Sequence, residues 1–182
     1  HDVNGMIQLF GGKEEFVAAL DDIFNTDAEI HGNLVDITGL IGQYVHGNEP
    51  SHHIAYLYNY VGEPWKTQKM SRRLLNEMYH PTPEGIIGNE DCGQMSAWYI
   101  LSSMGLYSVC PGSNEYVLTT PLFEKVVVHL ANGRTLTILA NDPQKNIYIT
   151  KVELNGKQID TNFITYDCLM GGGELRFTLS DK

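Results

Sequence analysis

Apolar residues at intervals of three and four mark one stripe over residues 13–24, where Phe16, Leu20, Ile23 and Phe24 share a face, and this spacing predicts an amphipathic helix led in by Gly11 and Gly12. A second helix is expected after Pro50, with Ser51 near its start, Ile54, Leu57, Tyr58 and Val61 on its inner side, and Gly62 ending it. Pro64 opens a third. There Trp65, Leu74, Leu75 and Met78 are expected inside and Lys66, Lys69, Arg72 and Arg73 in solvent, up to the stop at His80-Pro81-Thr82-Pro83. A fourth, residues 94–104, is apolar nearly all round and so is expected to be buried on most sides, with Gly105 as its C-terminal cap.

From Tyr116 the period changes to two. β-Branched runs at 125–130 and 135–140 flank Asn132-Gly133, a second pair at 147–154 and 157–159 flanks Asn155-Gly156, and 175–179 supplies a last strand. Helices followed by strands, rather than alternating with them, predict an α+β fold. The expected division is a helical part over 1–115 and a small antiparallel β extension over 116–182, joined near Cys110-Pro111-Gly112.

Composition narrows the function classes. Of the 182 residues 42% are hydrophobic and 19% charged, which describes a globular chain able to bury a core. The formal net charge of −10 argues against a phosphate-binding surface and hence against nucleic acid as partner. No apolar run approaches the roughly 20 residues a membrane span needs. The chain opens on His1-Asp2 without Met, so a leader or a larger N-terminal part is expected before it. Cys92, Cys110 and Cys168 are odd in number and widely spaced, which fits buried free thiols better than a disulfide framework or a metal site.

Polar residues that the helices do not need gather in two connecting stretches, YVHGNEPSHH (44–53) and GNEDCGQ (88–94), each just ahead of a helix. Loops held by a rigid scaffold are where catalytic and binding groups are displayed. Asn89, Glu90 and Asp91 place two carboxylates and an amide oxygen together, hard oxygen ligands suited to Ca²⁺ or to holding a nucleophilic water. The competing reading is that the Asn or the Asp only caps the following helix. Asn48 and Glu49 offer further oxygen ligands, and His46, His52 and His53 offer imidazoles for sugar hydroxyls. Adjacent His52 and His53 point about 100° apart on a helix, so they suit a shared zinc poorly and one of them is expected to be structural. Trp65, Trp98, Tyr56, Tyr58 and Tyr60 could stack on sugar rings, although helical spacing favours the core. Nucleophile elbow, phosphate loop, dinucleotide fingerprint and HExxH are all missing.

The stretches GNEPSHHIAYLYNYVGEPWKTQ (47–68), GNEDCGQMSAWYILSSMGLYSVCPGS (88–113) and YVLTTPLF (116–123), with the opening HDVNGMIQLFGG and the closing GGGELRF, resemble the C-terminal half of the α-mannosidases of glycoside hydrolase family 92. The resemblance spans nearly the whole chain. It implies the last helices of an (α/α)6 barrel followed by a β extension. It also implies Ca²⁺-dependent, inverting release of terminal mannose from glycans such as N-glycans, with α-1,2 linkages expected first.

By the same resemblance the catalytic base falls on Asp91, with Asn89 standing where many members carry a carboxylate that helps position the water. Glu49, His52, His53 and Glu90 fall at substrate-binding positions, and Asn48, Glu49 and Asn89 at positions near the metal. The general acid would precede His1, so the remainder of the same protein is an implied partner and this polypeptide alone is expected to be inactive. Secreted, periplasmic or cell-surface placement in a bacterium is implied as well. The alternative class is a non-catalytic carbohydrate-binding or interaction module, which needs the aromatic residues but no base.

Overall fold

The computed structural model describes residues 1–27 and 37–182. Helix α1 (Val3–Leu9) begins where the Asp2 carboxylate accepts the Gly5 N–H at 2.8 Å, and α2 (Lys13–Asn25) follows with Glu14 and Glu15 in its first turn. Phe16, Leu20 and Phe24 are buried, as their spacing predicts. A two-stranded hairpin, β1 (Leu40–Ile41) and β2 (Tyr44–Val45), leads to two 3₁₀ segments, Glu49–Ser51 and Ile54–Val61. The second helix is therefore 3₁₀ rather than α. It buries Ala55, Tyr56, Leu57 and Tyr58 in succession and stops at left-handed Gly62.

Helix α3 (Pro64–Glu77) corrects the inside-outside assignment at two positions. Trp65, expected inside, is 46% exposed and donates to Glu63 Oε2 at 2.6 Å. Arg72, expected in solvent, is buried and donates to the carbonyls of Pro143 and, at 2.8 Å, Pro121. Sequence periodicity could not see this, because the partners come from loops of the β part. Helix α4 (Gln94–Ser103) turns Met95, Trp98, Ser102 and Ser103 inward but leaves Ile100 55% exposed, so it is not buried on most sides: it packs through one face only. Of the thiols, Cys92 and Cys168 are exposed rather than buried, and all three cysteines are free.

Strands β3 (Leu106–Tyr107), β4 (Glu115–Leu118) and β9 (Phe163–Thr165) form a three-stranded antiparallel sheet that joins the two halves. Its two faces serve two cores. Tyr107, Val117 and Phe163 pack with the helices, whereas Leu106, Leu118 and Ile164 pack with the remaining strands. The division expected between 115 and 116 thus falls inside β4.

The second sheet takes β5 (Lys125–His129), β6 (Thr135–Ala140), β7 (Tyr148–Leu154), β8 (Lys157–Gln158) and β10 (Gly173–Ser180) in the order β5-β6-β10-β7-β8. Both Asn-Gly hairpins form as expected, β5 with β6 and β7 with β8. The expectation of an antiparallel extension is corrected at the centre, where β10 runs parallel to β6. Between them the chain leaves to build β9 and α5 (Tyr166–Met170), and this long excursion brings it back at the end where β6 began. Leu175, Phe177 and Leu179 of this central strand are buried.

Candidate active site

Two loops meet behind the first turn of α4 because two glycines allow their backbones to touch. A Cβ on Gly88, whose φ is +79°, would sit 2.2 Å from the Gly47 carbonyl oxygen, and one on Gly47 would lie 3.2 Å from Gly88 Cα. The contact sets the turn carrying Asn48 and Glu49 beside the turn carrying Asn89, Glu90 and Asp91.

The second turn is strained. Asp91 and Cys92 have φ of +37° and +60°, consecutive left-handed residues with side chains, ahead of Gly93 at +87°. Such positions cost of order 1–3 kcal/mol each and gather at functional sites. The work of holding α4 falls to Glu90: its Oε1 accepts the Ser96 N–H at 3.1 Å, and its carbonyl accepts from Gly93 and Gln94 at 3.0 and 2.8 Å. No side-chain hydrogen bond comes from the residue ahead of the helix, Gly93. Capping therefore accounts for Glu90 and leaves the exposed Asp91 carboxylate unexplained by helix geometry.

Asp91 faces Glu49 within hydrogen-bonding reach. That contact, then the negative charge of Glu49, and lastly partial desolvation push the Asp91 carboxyl above its ordinary range. Glu49 Oε1 is buried and meets no hydrogen-bond donor. Two ionised carboxylates cannot donate to each other, so the pair calls for a shared proton or a cation between them. Among the described residues no three His, Cys, Asp or Glu side chains converge as a metal-binding group. A cation here would have to complete its shell with amide and carbonyl oxygens. That chemistry suits Ca²⁺, and the half-buried Asn48 and exposed Asn89 lie on the same two turns. The orphaned Glu49 oxygen is the observation that makes this donor set fit.

The imidazoles divide between support and exposure. His46 is wholly buried between the hydroxyls of Tyr44, 2.9 Å from Nδ1, and Tyr79, 2.8 Å from Nε2, so it cannot reach a sugar hydroxyl as expected. Burial, followed by the neighbouring His52, pushes its pKa down to about 3. His52 is 1% exposed; its Nε2 donates to the His46 carbonyl at 3.0 Å, and Gln94 approaches its Nδ1 at 3.4 Å. Burial also lowers its pKa, against the opposing effect of that hydrogen bond. His52 is thus the structural member of the pair, and His53, half-buried, remains the imidazole nearer solvent. Its pKa falls through burial and through the neighbouring His52.

Trp98 closes the rear of the site. Its Nε1 donates to the His52 carbonyl at 3.1 Å, its ring meets His46 edge-on with centroids 4.4 Å apart, and it stacks on Tyr79 at 5.8 Å. Trp98, Tyr56 and Tyr58 are core, as their spacing suggests. A groove of about 610 Å³ along α4 has Gln94, Trp98, Tyr107, Asn114, Tyr116 and Tyr166 in its wall. The Tyr44–His46–Tyr79 arrangement escaped sequence reasoning, because nothing in local spacing couples residue 79 to residue 46.

The family model of the glycosyl hydrolase family 92 catalytic domain matches residues 1–181. An uncharacterized secreted glycosidase of Arthroderma benhamiae is 33% identical over 186 residues, covering all of this chain and 22% of that protein. A family GH92 alpha-mannosidase from Bacteroides thetaiotaomicron, solved with mannoimidazole, is 44% identical with a TM-score of 0.87 over 94% of this chain and 23% of its own. A family GH92 inverting mannosidase from the same species is 38% identical, TM-score 0.84, over 100% of this chain and 26% of its own. The chain therefore spans about a quarter of the length of each.

Proposed function

The chain belongs to glycosyl hydrolase family 92, and from that premise we propose that it is the part of an inverting, Ca²⁺-dependent α-mannosidase that carries the catalytic base, Asp91. One observation supports the assignment above the others: an exposed carboxylate held on left-handed backbone, facing Glu49, while Glu90 takes over the capping.

Inversion needs one carboxyl to protonate the leaving oxygen and another, across the sugar, to take a proton from the attacking water. Asp91 is the proton acceptor. A base works best when its pKa approaches the working pH, and the neighbouring Glu49 raises that of Asp91 in this direction. Asn89, on the same turn, orients the water through its amide without adding basicity. His53 and Glu49 hold the terminal mannose, while His52 and Glu90 support them from behind. Glu49, Asn48 and Asn89 would hold Ca²⁺, which when bound would grip sugar hydroxyls and favour ring distortion. The general acid belongs to the remainder of the longer protein, so the 182-residue polypeptide alone is inactive. The mannose-bearing glycan is α-1,2-linked in this reading. Secretion is proposed because the Arthroderma relative is described as secreted. No described helix is long and apolar enough to cross a membrane.

The test is Asp91→Ala in the full-length protein, assayed on an α-linked mannobiose with Ca²⁺ present. Removal of a general base lowers kcat by about 10²–10⁴-fold, with affinity for mannose retained. Undiminished hydrolysis would overturn the assignment and favour a binding module or another base. Turnover by the isolated chain would overturn its dependence on the remainder.

A further inference from the structure

Behind the two carboxylates runs a chain of hydrogen bonds that the reaction described above does not use. The Tyr79 hydroxyl donates to the Met95 carbonyl at 3.2 Å in the first turn of α4. Its one proton is then committed, so the 2.8 Å contact with His46 Nε2 must be donated by the ring. Nδ1 is left as the acceptor for the Tyr44 hydroxyl at 2.9 Å. The imidazole is thereby fixed in one tautomer, with both nitrogens engaged and no route to solvent.

The backbone around it is equally tied. His46 N donates to the Gly39 carbonyl and Gly47 N to the Thr38 carbonyl, each at 3.0 Å, and the His46 carbonyl takes the His52 Nε2 proton. The Glu49 turn leaves directly from this anchored segment, and the Asp91 turn leads into α4, whose second residue is Met95. The His46 ring, through Tyr79, connects the two from inside the core, beside the links that Trp98 and Gln94 of α4 make to His52.

We propose that His46 is a positioning residue for the mannosidase reaction: through Tyr79 and the Met95 carbonyl it fixes the Glu49 turn against the Asp91 turn. The inference rests on Asp91 being the base. It follows because a displacement of about 1 Å at a reacting group costs on the order of 10²-fold in rate, and this brace ties the segment that carries Glu49 to the first turn of α4.

The test uses the full-length enzyme with His46→Gln, His46→Asn, His46→Leu and Tyr79→Phe. Gln can still donate toward Tyr79, Asn keeps only the reach toward Tyr44, Leu keeps neither, and Tyr79→Phe removes a single oxygen with little risk to folding. We expect kcat to fall about 10–100-fold for Asn, Leu and Tyr79→Phe, Gln to stay within a few-fold of wild type, and KM to change little. Combining His46→Asn with Tyr79→Phe should cost no more than either alone, since both cut one link. Equal impairment of Gln and Leu, or melting temperatures that fall while kcat is kept, would reduce His46 to packing and overturn the proposal. A fully active Asp91→Ala would instead remove the reading on which it rests, so the two failures are distinct.

Discussion

Gly47 and Gly88 touch backbone to backbone, at a separation that leaves no room for a Cβ on Gly88, which would meet the Gly47 carbonyl oxygen at 2.2 Å. This contact brings two loops distant in sequence together at main-chain level. A methyl group there must push against main chain, which cannot swing aside as a flexible side chain does.

Gly88→Ala should therefore destabilise the protein by about 2–4 kcal/mol, combining left-handed strain with the clash, and lower kcat by about 10²-fold through displacement of Asp91. Gly62→Ala is the control. Its φ is +85° but nothing lies within 4 Å of the added Cβ, so it should cost only about 1 kcal/mol and leave kcat unchanged. Denaturant titration together with steady-state kinetics on both variants checks this.

Acid should unfold the domain partly through His46. Its pKa in the folded chain, about 3, lies below the ordinary 6.5 because burial disfavours the imidazolium. The unfolded chain thus binds a proton that the folded one refuses. Stability is full above about pH 6.5 and declines as pH falls toward 3, at up to roughly 1.4 kcal/mol per pH unit for this one site. His46→Gln, which cannot titrate, should flatten the melting temperature between pH 6.5 and 4 relative to wild type. An identical pH dependence in the two proteins would assign the acid sensitivity to other groups.

The parts of this molecule that were legible in the sequence are those whose causes are local. Phe16, Leu20 and Phe24 share a helix face because of their spacing alone, and Asn132-Gly133 turns a hairpin because its own backbone favours it. What stayed hidden depends on distant chain. β10 enters between β6 and β7 only once β9 and α5 have carried the chain away. Glu90 and Asp91 are neighbours of the same charge, and nothing in composition says which caps α4. The left-handed backbone at Asp91 and Cys92 decides it by pointing one carboxylate at Ser96 and the other outward. His46 read as a sugar contact because its burial is created by Tyr79 and Trp98, which arrive from later in the chain.

Helix α3 offers a test of the same lesson in stability. Arg72→Ala strips the Pro121 and Pro143 carbonyls of a charged donor inside the protein and should cost about 2–4 kcal/mol. Trp65→Ala removes a larger side chain but an exposed one, lying against Lys66 and Glu63, and should cost less than about 1 kcal/mol. A periodicity argument predicts the opposite order. Measuring both by chemical denaturation decides between them, and kcat should be unaffected by Trp65→Ala.

The carboxylate pair makes a prediction in which proton and cation compete. If Asp91 is the base, it must be ionised, and kcat/KM falls on the acid side as it takes up a proton. Its pKa stands above the usual carboxylate range chiefly because of Glu49, so at limiting Ca²⁺ the acid limb should lie at correspondingly high pH. Ca²⁺ held by Glu49, Asn48 and Asn89 would bring positive charge near Asp91, favour its ionised form and move that limb to lower pH. Glu49→Gln removes the like charge outright: its limb should already sit lower at limiting Ca²⁺ and respond little to more of the ion, with a reduced maximum because a ligand has been lost. Chelation of Ca²⁺ should likewise depress wild-type activity more than that of the variant. Profiles of kcat/KM against pH at two Ca²⁺ concentrations for the full-length enzyme and Glu49→Gln carry the comparison. Acid limbs that coincide in all four would mean that the charge of Glu49 does not reach the catalytic proton.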